Sequence, residues 1–256
     1  MAGNAPIQSL NRAAQILFAV AGAERGRTLT QISLATGLNP HTAYRLVRTL
    51  EGDRLLTRSN APLRFHLGPV VSDLVRLESE RHLLAIAAPV LARTQLHLPD
   101  SNFSLVDRVD GTESCPRIVV TAARPGVAVV QRTVLHPPYE KASALLFLAY
   151  ASPEEQAAFF AKHPFESAGA ACWDNLTRLH GFLADIRRLG YALPEFPDRE
   201  FFRVAAPVFD GGHAPVAAVG AYIESTAAPR QQAALVTACR SAAREIGQKL
   251  ALESGL

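Results

Sequence analysis

The sequence predicts two domains of different class: a small, mostly helical N-terminal one ending in a strand hairpin, and a larger C-terminal α+β one with an antiparallel sheet. Three observations predict this. Residues 28–58, TLTQISLATGLNPHTAYRLVRTLEGDRLLTR, read as two short helices joined at a glycine and followed by a basic strand. Beyond residue 100, strand-like runs bounded by turn dipeptides alternate with helical periodicity. The 256 residues also exceed a typical single domain, so each half is long enough to bury its own core.

In chain order, Ser9 is expected to cap a first helix with Leu10, Ala13, Leu17 and Val20 along one side. Thr30 is expected to cap a second, with Ile32, Leu34 and Ala35 as its apolar positions and Gly37 as its left-handed stop. Asn39 caps a third, and Pro40 takes its first position, where a missing N–H costs nothing. There Ala43, Leu46, Val47 and Leu50 fall at i, i+3, i+4 and i+7 and form one buried stripe. Leu55–Arg58 and Arg64–Leu67 read as two strands around the loop Ser59-Asn60-Ala61-Pro62.

The other side of the third helix carries His41, Thr42, Tyr44, Arg45, Arg48 and Thr49. These side chains suit a DNA major groove: a guanidinium offers a fork to guanine, and a threonine meets a base edge or a thymine methyl. An ordinary solvated helix face is the alternative. The preceding helix and the strand pair argue instead for a winged helix-turn-helix over residues 1–68. Arg12, Thr30, Gln31 and Asn39 are further expected contacts to a double-stranded DNA operator, and Arg58 and Arg64 are expected to meet phosphates. Charge agrees. Residues 1–68 hold eight Arg, no Lys and three acids, a net +5, whereas the other 188 residues carry a net −2. Affinity for phosphate should reside in the first domain and fall with salt.

Composition narrows the remaining classes. The longest apolar runs, such as Ala142–Ala151, are too short to cross a bilayer, and MAGNAPIQSLNRA lacks the basic start and apolar stretch of a secretory signal, so a cytoplasmic protein is expected. Cys115, Cys172 and Cys239 are widely spaced with no CxxC pair and read as neutral thiols; the eight His show no HExxH spacing. There is no GxSxG elbow, no phosphate-cradling glycine loop and no telling carboxylate pair. Neither catalysis, a metal nor a cofactor is expected.

Residues 69–82 read as a linker helix whose polar middle includes Ser79, placed to end one helix and cap the next. The C-terminal domain, 83–256, then offers strands at Ser101–Val106, Arg117–Thr121 and Val127–Val134, with turns at Asp110-Gly111 and Pro125-Gly126. Ser152-Pro153-Glu154-Glu155 is a capping box heading a helix through Phe160. Asp174 is expected to cap another, with Leu176, Leu179, Leu183 and Ile186 as one face and Gly190 as its stop. Strands Phe202–Phe209 and Val216–Ile223 meet at Asp210-Gly211-Gly212-His213, and Pro229 opens a final helix through Leu235, Val236, Ile246 and Leu250.

SLNRAAQILFAVAG, the helix pair above and FHLGP together resemble the N-terminal winged helix-turn-helix of the IclR family of bacterial transcription regulators. GFLADIRRLGYALPEFPDREFFRVAAPVFDGGHAPVAAVGAYI resembles that family's C-terminal effector domain, in its Gly-Tyr-Ala step and its Ala-Ala-Pro-Val strand. The resemblance implies a sensor domain related to the GAF fold, a linker helix that takes part in dimerisation, and a homodimer or homotetramer whose DNA binding responds to a small-molecule effector. Packing of the linker helix on its own domain is the alternative to its dimerisation role.

The resemblance also implies where the effector sits: near a His-x-Thr-Ala-x-Gly-Lys-Ala motif, an acidic residue after Gly-Tyr-Ala, and a Cys before the Ala-Ala-Pro strand. Here the motif region reads His136-Pro137-Pro138-Tyr139-Glu140-Lys141-Ala142-Ser143-Ala144-Leu145, with no glycine, and Arg203 stands where the Cys would be. Along the strand, Phe202, Val204, Ala206 and Val208 share one face, and Phe201, Arg203, Ala205 and Phe209 the other. If that second face lines the pocket, Arg203 is expected to grip an anionic or carbonyl-bearing effector, with Glu195 as a second polar contact and Leu135, Ser143 and Tyr222 around it. The rival expectation is a domain that has lost its ligand and serves only oligomerisation and partner contact.

Overall fold

The computed structural model describes residues 6–109, 113–196 and 200–254. The chain divides into two compact units between Arg81 and His82. In the first, α1 (Gln8–Ala21) starts at Ile7, whose carbonyl accepts from the amides of Leu10 and Asn11, so Ser9 lies inside the helix and does not cap it. Ile16 and Val20 are its buried positions, and Leu10 is 67 % exposed. The second helix, α2 (Leu29–Thr36), is capped by Thr28 rather than Thr30. Thr28 and Gln31 exchange side-chain and backbone hydrogen bonds in a reciprocal capping box, which satisfies two amides where Thr30 would satisfy one. Ile32 and Ser33 therefore face inward, and Leu34 and Ala35 turn outward, against expectation.

Gly37 ends α2 at φ +66°, a conformation that a Cβ disfavours. Asn39 then caps α3 (Pro40–Gly52) by accepting from the Thr42 amide at 2.8 Å. Ala43, Val47 and Leu50 are buried as predicted, Leu46 is only partly buried, and Val47 and Leu50 close on Ile16, Val20 and Ile32. The wing is β1 (Leu56–Asn60) paired antiparallel with β2 (Leu63–Leu67), from Leu56↔Leu67 to Asn60↔Leu63. Ser59 and Asn60 thus belong to the strand, and the turn shrinks to Ala61-Pro62, because the ladder gains bonds by running on.

The helix α4 (Pro69–His97) is continuous through Ser79, where a break was expected. Arg76 pairs with Glu80 at 2.6 Å and Arg81 with Glu78 at 2.8 Å, so the polar middle is spanned by ion pairs at helical spacing and holds no glycine or proline to stop it.

In the second unit a five-stranded antiparallel sheet runs in the order β5-β4-β3-β7-β6. Its strands are β3 (Asn102–Val109), β4 (Glu113–Val120), β5 (Val129–Val130), β6 (Phe201–Val208) and β7 (Ala217–Glu224). The predicted strand Val127–Val134 contracts to Val129–Val130: Val127, Val130 and Val134 are substantially exposed, and onward to Leu135 only scattered bonds tie the segment to β4. The expected Asp110-Gly111 turn lies outside the described residues.

One sheet face packs on Ile86, Val90 and Leu91 of α4 and on Leu235, Cys239 and Ile246 of α10 (Pro229–Ser254). The other packs on α5 (Ala142–Tyr150) and α9 (Leu176–Leu189). Between these helices lie α6 (Pro153–Lys162), headed by the predicted Ser152–Glu155 box, and the short α7 (Phe165–Ala168) and α8 (Ala170–Trp173). Helix α9 is capped by Asn175, which accepts from the Arg178 amide. Asp174 does not cap it: at φ +58° it terminates α8, and Leu176 is consequently 38 % exposed instead of joining Leu179, Leu183 and Ile186 in the core. The three cysteines form no disulfide, and among the described residues no cluster of three or more metal-ligating side chains occurs. No helix among the described residues is long and apolar enough to cross a membrane.

A charged knot fastens β4 to the end of α6. The Glu113 carboxylate accepts from Lys162 at 2.7 Å and lies 3.6 Å from His163 Nε2 and 3.8 Å from His136 Nε2. The lysine's hydrogen bond holds Glu113 below its ordinary 4.5, and burial pushes the His163 imidazole below 6.5. Both groups therefore bind protons more readily in the unfolded chain. The contribution of His163 is intact above 6.5 and lost as pH falls through its lowered folded value, and that of Glu113 is intact above 4.5 and lost through its own. The melting temperature should drop in these two stages on acidification. His163→Asn should flatten the first stage and Glu113→Gln the second; melting curves parallel to wild type at every pH would contradict the assignment.

Candidate DNA-reading face and effector cavity

In the first unit, α1 and α3 enclose a cleft of about 500 Å³ lined by Arg12, Thr42, Tyr44, Arg45, Arg48 and Thr49. Five of the expected DNA-contacting residues are thus brought together. Tyr44 is 52 % exposed, and His41, Arg45 and Arg48 are exposed beside it. The burial of Ala43 and Val47 on the same helix is what turns this set outward.

The guanidinium groups differ in their partners. Arg48 pairs with Glu51 at 3.2 Å, and the wing's Arg58 reaches the same carboxylate at 3.2 Å, so Glu51 clamps α3 to β1. Arg64 is half-buried and donates to the Gly26 carbonyl at 3.0 Å. Arg45 has no carboxylate within 4 Å among the described residues. Thr30, Gln31 and Asn39 lie outside the cleft lining, and Gln31 and Asn39 are occupied in caps. Glu51 is the organising residue the sequence reading missed; its position one turn after Arg48 on a helix was the available signal.

In the second unit a cavity of about 390 Å³ opens between the sheet and residues 131–143. Leu135, Ser143, Arg203 and Tyr222 line it, four of the five residues expected there. Glu195 does not. Ala192 exchanges two backbone hydrogen bonds with Ala205, at 2.8 and 2.9 Å, which holds this segment along the outer edge of β6 and leaves Glu195 exposed.

The alternation predicted for β6 is present: Val204, Ala206 and Val208 enter the core shared with α4 and α10, and Phe201 and Arg203 reach the cavity. Arg203 sits 5.5 Å over the Phe201 ring, which meets Tyr222 edge-to-face at 5.2 Å, so a cation is stacked on an aromatic pair. The N-terminus of α5 also borders the cavity: Lys141 provides no side-chain cap, and Lys141, Ala142 and Ser143 are among the lining residues. The first-turn amides of a helix are donors without intrahelical partners and favour an anion.

The missing glycine of the motif region therefore does not prevent a helix from starting at the cavity. The start is anchored from behind. Tyr139 is fully buried, its hydroxyl donates to the His163 carbonyl at 2.7 Å, and its own carbonyl accepts from the Trp173 indole at 3.0 Å. Burial pushes its phenol up to about 12. Asn102, Ser104, Gln131 and Lys141 also line the cavity and were missed from sequence. The i, i+2 spacing of Asn102 and Ser104 on a strand was the signal for the first two. No carboxylate occurs among the described lining residues.

Residues 9–59 match the family described as the IclR helix-turn-helix domain, and residues 133–248 match the one described as bacterial transcriptional regulator IclR C-terminal. The chain is 39 % identical over 71 residues to the glycerol operon regulatory protein of Streptomyces coelicolor, a match covering 28 % of this chain and 27 % of that protein. Among solved structures, the fold is similar to an IclR homolog from Microbacterium hydrocarbonoxydans complexed with 4-hydroxybenzoate, with a TM-score of 0.54 and 22 % identity over 95 % of this chain and 99 % of that one. It is similar also to the IclR of Thermotoga maritima, with a TM-score of 0.53 and 21 % identity over 96 % and 100 % of the two chains. At such identities these structures bear on the fold. Taken with the two family matches, they lead to one statement: the chain belongs to the IclR family of bacterial transcriptional regulators, which are not enzymes.

Proposed function

We propose that this regulator reads a partly palindromic operator through the outward face of α3 and alters that binding when a small anionic or aromatic effector occupies the cavity beside Arg203. In this scheme residues 1–68 are the DNA module, 69–82 the linker and 83–256 the effector-binding and oligomerisation part, acting in the cytoplasm. The observation that carries the DNA assignment is the exposed cluster of Tyr44 and Arg45 on a helix whose other side buries Ala43, Val47 and Leu50. Arg45, held by no acid among the described residues, is the side chain assigned to a base edge. Arg48 and Arg58, held by Glu51, and Arg64, held on the Gly26 carbonyl, are assigned to phosphates.

A palindrome requires two copies. In the first unit Leu10 and Phe18 of α1 and Leu74, Val75 and Leu77 of α4 are all more than half exposed, an apolar set that a second copy of the chain would cover. Occupancy of the cavity alters DNA binding only if the effector prefers one arrangement of the paired modules over another.

Arg45→Ala should cost about 1–3 kcal/mol on the operator and relax base preference, whereas Arg64→Ala should weaken all DNA and lower the salt slope by about one unit. Gel shifts at several salt concentrations check both; equal losses on operator and random duplex for Arg45→Ala would show that it reads no base. For the cavity, 4-hydroxybenzoate is a reasonable first probe because the Microbacterium homolog was crystallised with it. Calorimetry should give at least a tenfold weaker affinity for Arg203→Ala than for wild type. Equal affinity in both would remove Arg203 from the effector site, and no binding by any carboxylate or neutral aromatic of a panel would favour a ligand-free oligomerisation domain.

A further inference from the structure

A second cleft, of about 300 Å³, lies in the same unit between α10 and the end of β6. We propose that it is a separate binding site for a small organic carboxylate with an apolar body. Its floor is hydrocarbon, from Ala206, Pro207 and Ala243, and Arg240, Arg244 and Gln248 stand at its rim. These three are spaced i, i+4 and i+8 on α10, so they project from one side of that helix.

Three features go beyond what an ordinary solvated helix face requires. Arg240 is supported from beneath by the Tyr191 ring, 5.0 Å from its guanidinium carbon, which orients its planar fork. Next, two like charges one turn apart repel, and no acid relieves them among the described residues. The described acids of α10 are engaged elsewhere: Glu245 holds Arg93 at 2.6 Å and Lys249 at 2.9 Å, and Glu253 holds His82 at 2.9 Å. No carboxylate lines the cleft among the described residues. Last, the helix comes unusually near the chain after β6. A Cβ on Gly247 would lie 2.4 Å from the Phe209 carbonyl oxygen, so only glycine permits the approach that shapes this wall.

The guanidinium pair selects an anion that accepts two forks, and the apolar floor selects one carrying a hydrocarbon surface. Benzoate satisfies both demands and inorganic phosphate only the first. No residue lining this cleft lines the cavity beside Arg203, so the two sites are separable by mutation.

The test is ligand-detected NMR titration of the full chain with benzoate and with phosphate, on wild type, on Arg203→Ala, and on Arg244→Gln and Arg240→Gln each made in the Arg203→Ala background, all checked by circular dichroism. The expected result is a benzoate site that survives Arg203→Ala, weakens at least tenfold in Arg244→Gln and in Arg240→Gln, and binds phosphate more weakly than benzoate. Arg244→Lys should restore part of the loss, which mere disturbance of α10 would not allow. Unchanged benzoate binding in both α10 glutamine variants would overturn the proposal, as would a single site abolished by Arg203→Ala, and phosphate binding as tightly as benzoate would overturn the apolar assignment. Loss of the effector response with this site intact would count against the cavity and leave the cleft standing.

Discussion

The burial of Val47 and Leu50 against Ile16, Val20 and Ile32 is the constraint on which the rest of the first unit depends. Fully burying an aliphatic side chain of this size contributes about 1.5–3 kcal/mol. A helix that sheds two such contacts to roll about its axis would forfeit much of the stability of a small domain. Hence the orientation of α3 is fixed, and with it the side that carries His41, Tyr44, Arg45 and Arg48. The Asn39 cap and the Gly37 turn set where the helix begins, and Glu51, bonded to both Arg48 and Arg58, sets how the wing joins it.

The second unit obeys the same rule with a strand in place of a helix. Because β6 alternates, packing Val204, Ala206 and Val208 into the core with α4 and α10 forces Phe201 and Arg203 to the opposite side, where the cavity is. The cavity's other wall is the start of α5, held by the buried Tyr139 and the Trp173 indole. A cation on an aromatic pair and the start of a helix without a side-chain cap line one cavity. That chemistry suits an anion with a flat apolar body.

Much of this was legible in the sequence because local signals agreed with tertiary packing. Asn39-Pro40, Gly37, Ser152–Glu155 and Gly190 mark element ends by backbone chemistry alone, and the structure uses all of them. Four of the five residues expected at the cavity line it, an expectation that rested on strand alternation joined to family resemblance. The misses have physical causes. Helix α5 is buried on every side from Ala142 to Ala149, so it shows no amphipathic period to read. Thr28 and Thr30 both suit a cap, and only the reciprocal bond with Gln31 decides between them. Glu195 is turned away by the Ala192–Ala205 pairing, a long-range contact that no local pattern encodes.

The central claim is that the outward face of α3 meets duplex DNA in a sequence-dependent way. The most direct measurement is selection of bound duplexes from a random pool by the full chain in dilute buffer, followed by hydrogen exchange on the selected complex. The account predicts enrichment of a motif with two related half-sites, together with slowed exchange confined in the first unit to α3 and its flanking wing. A pool that stays random through repeated rounds, or a complex in which α3 exchanges as in the free protein, would contradict it.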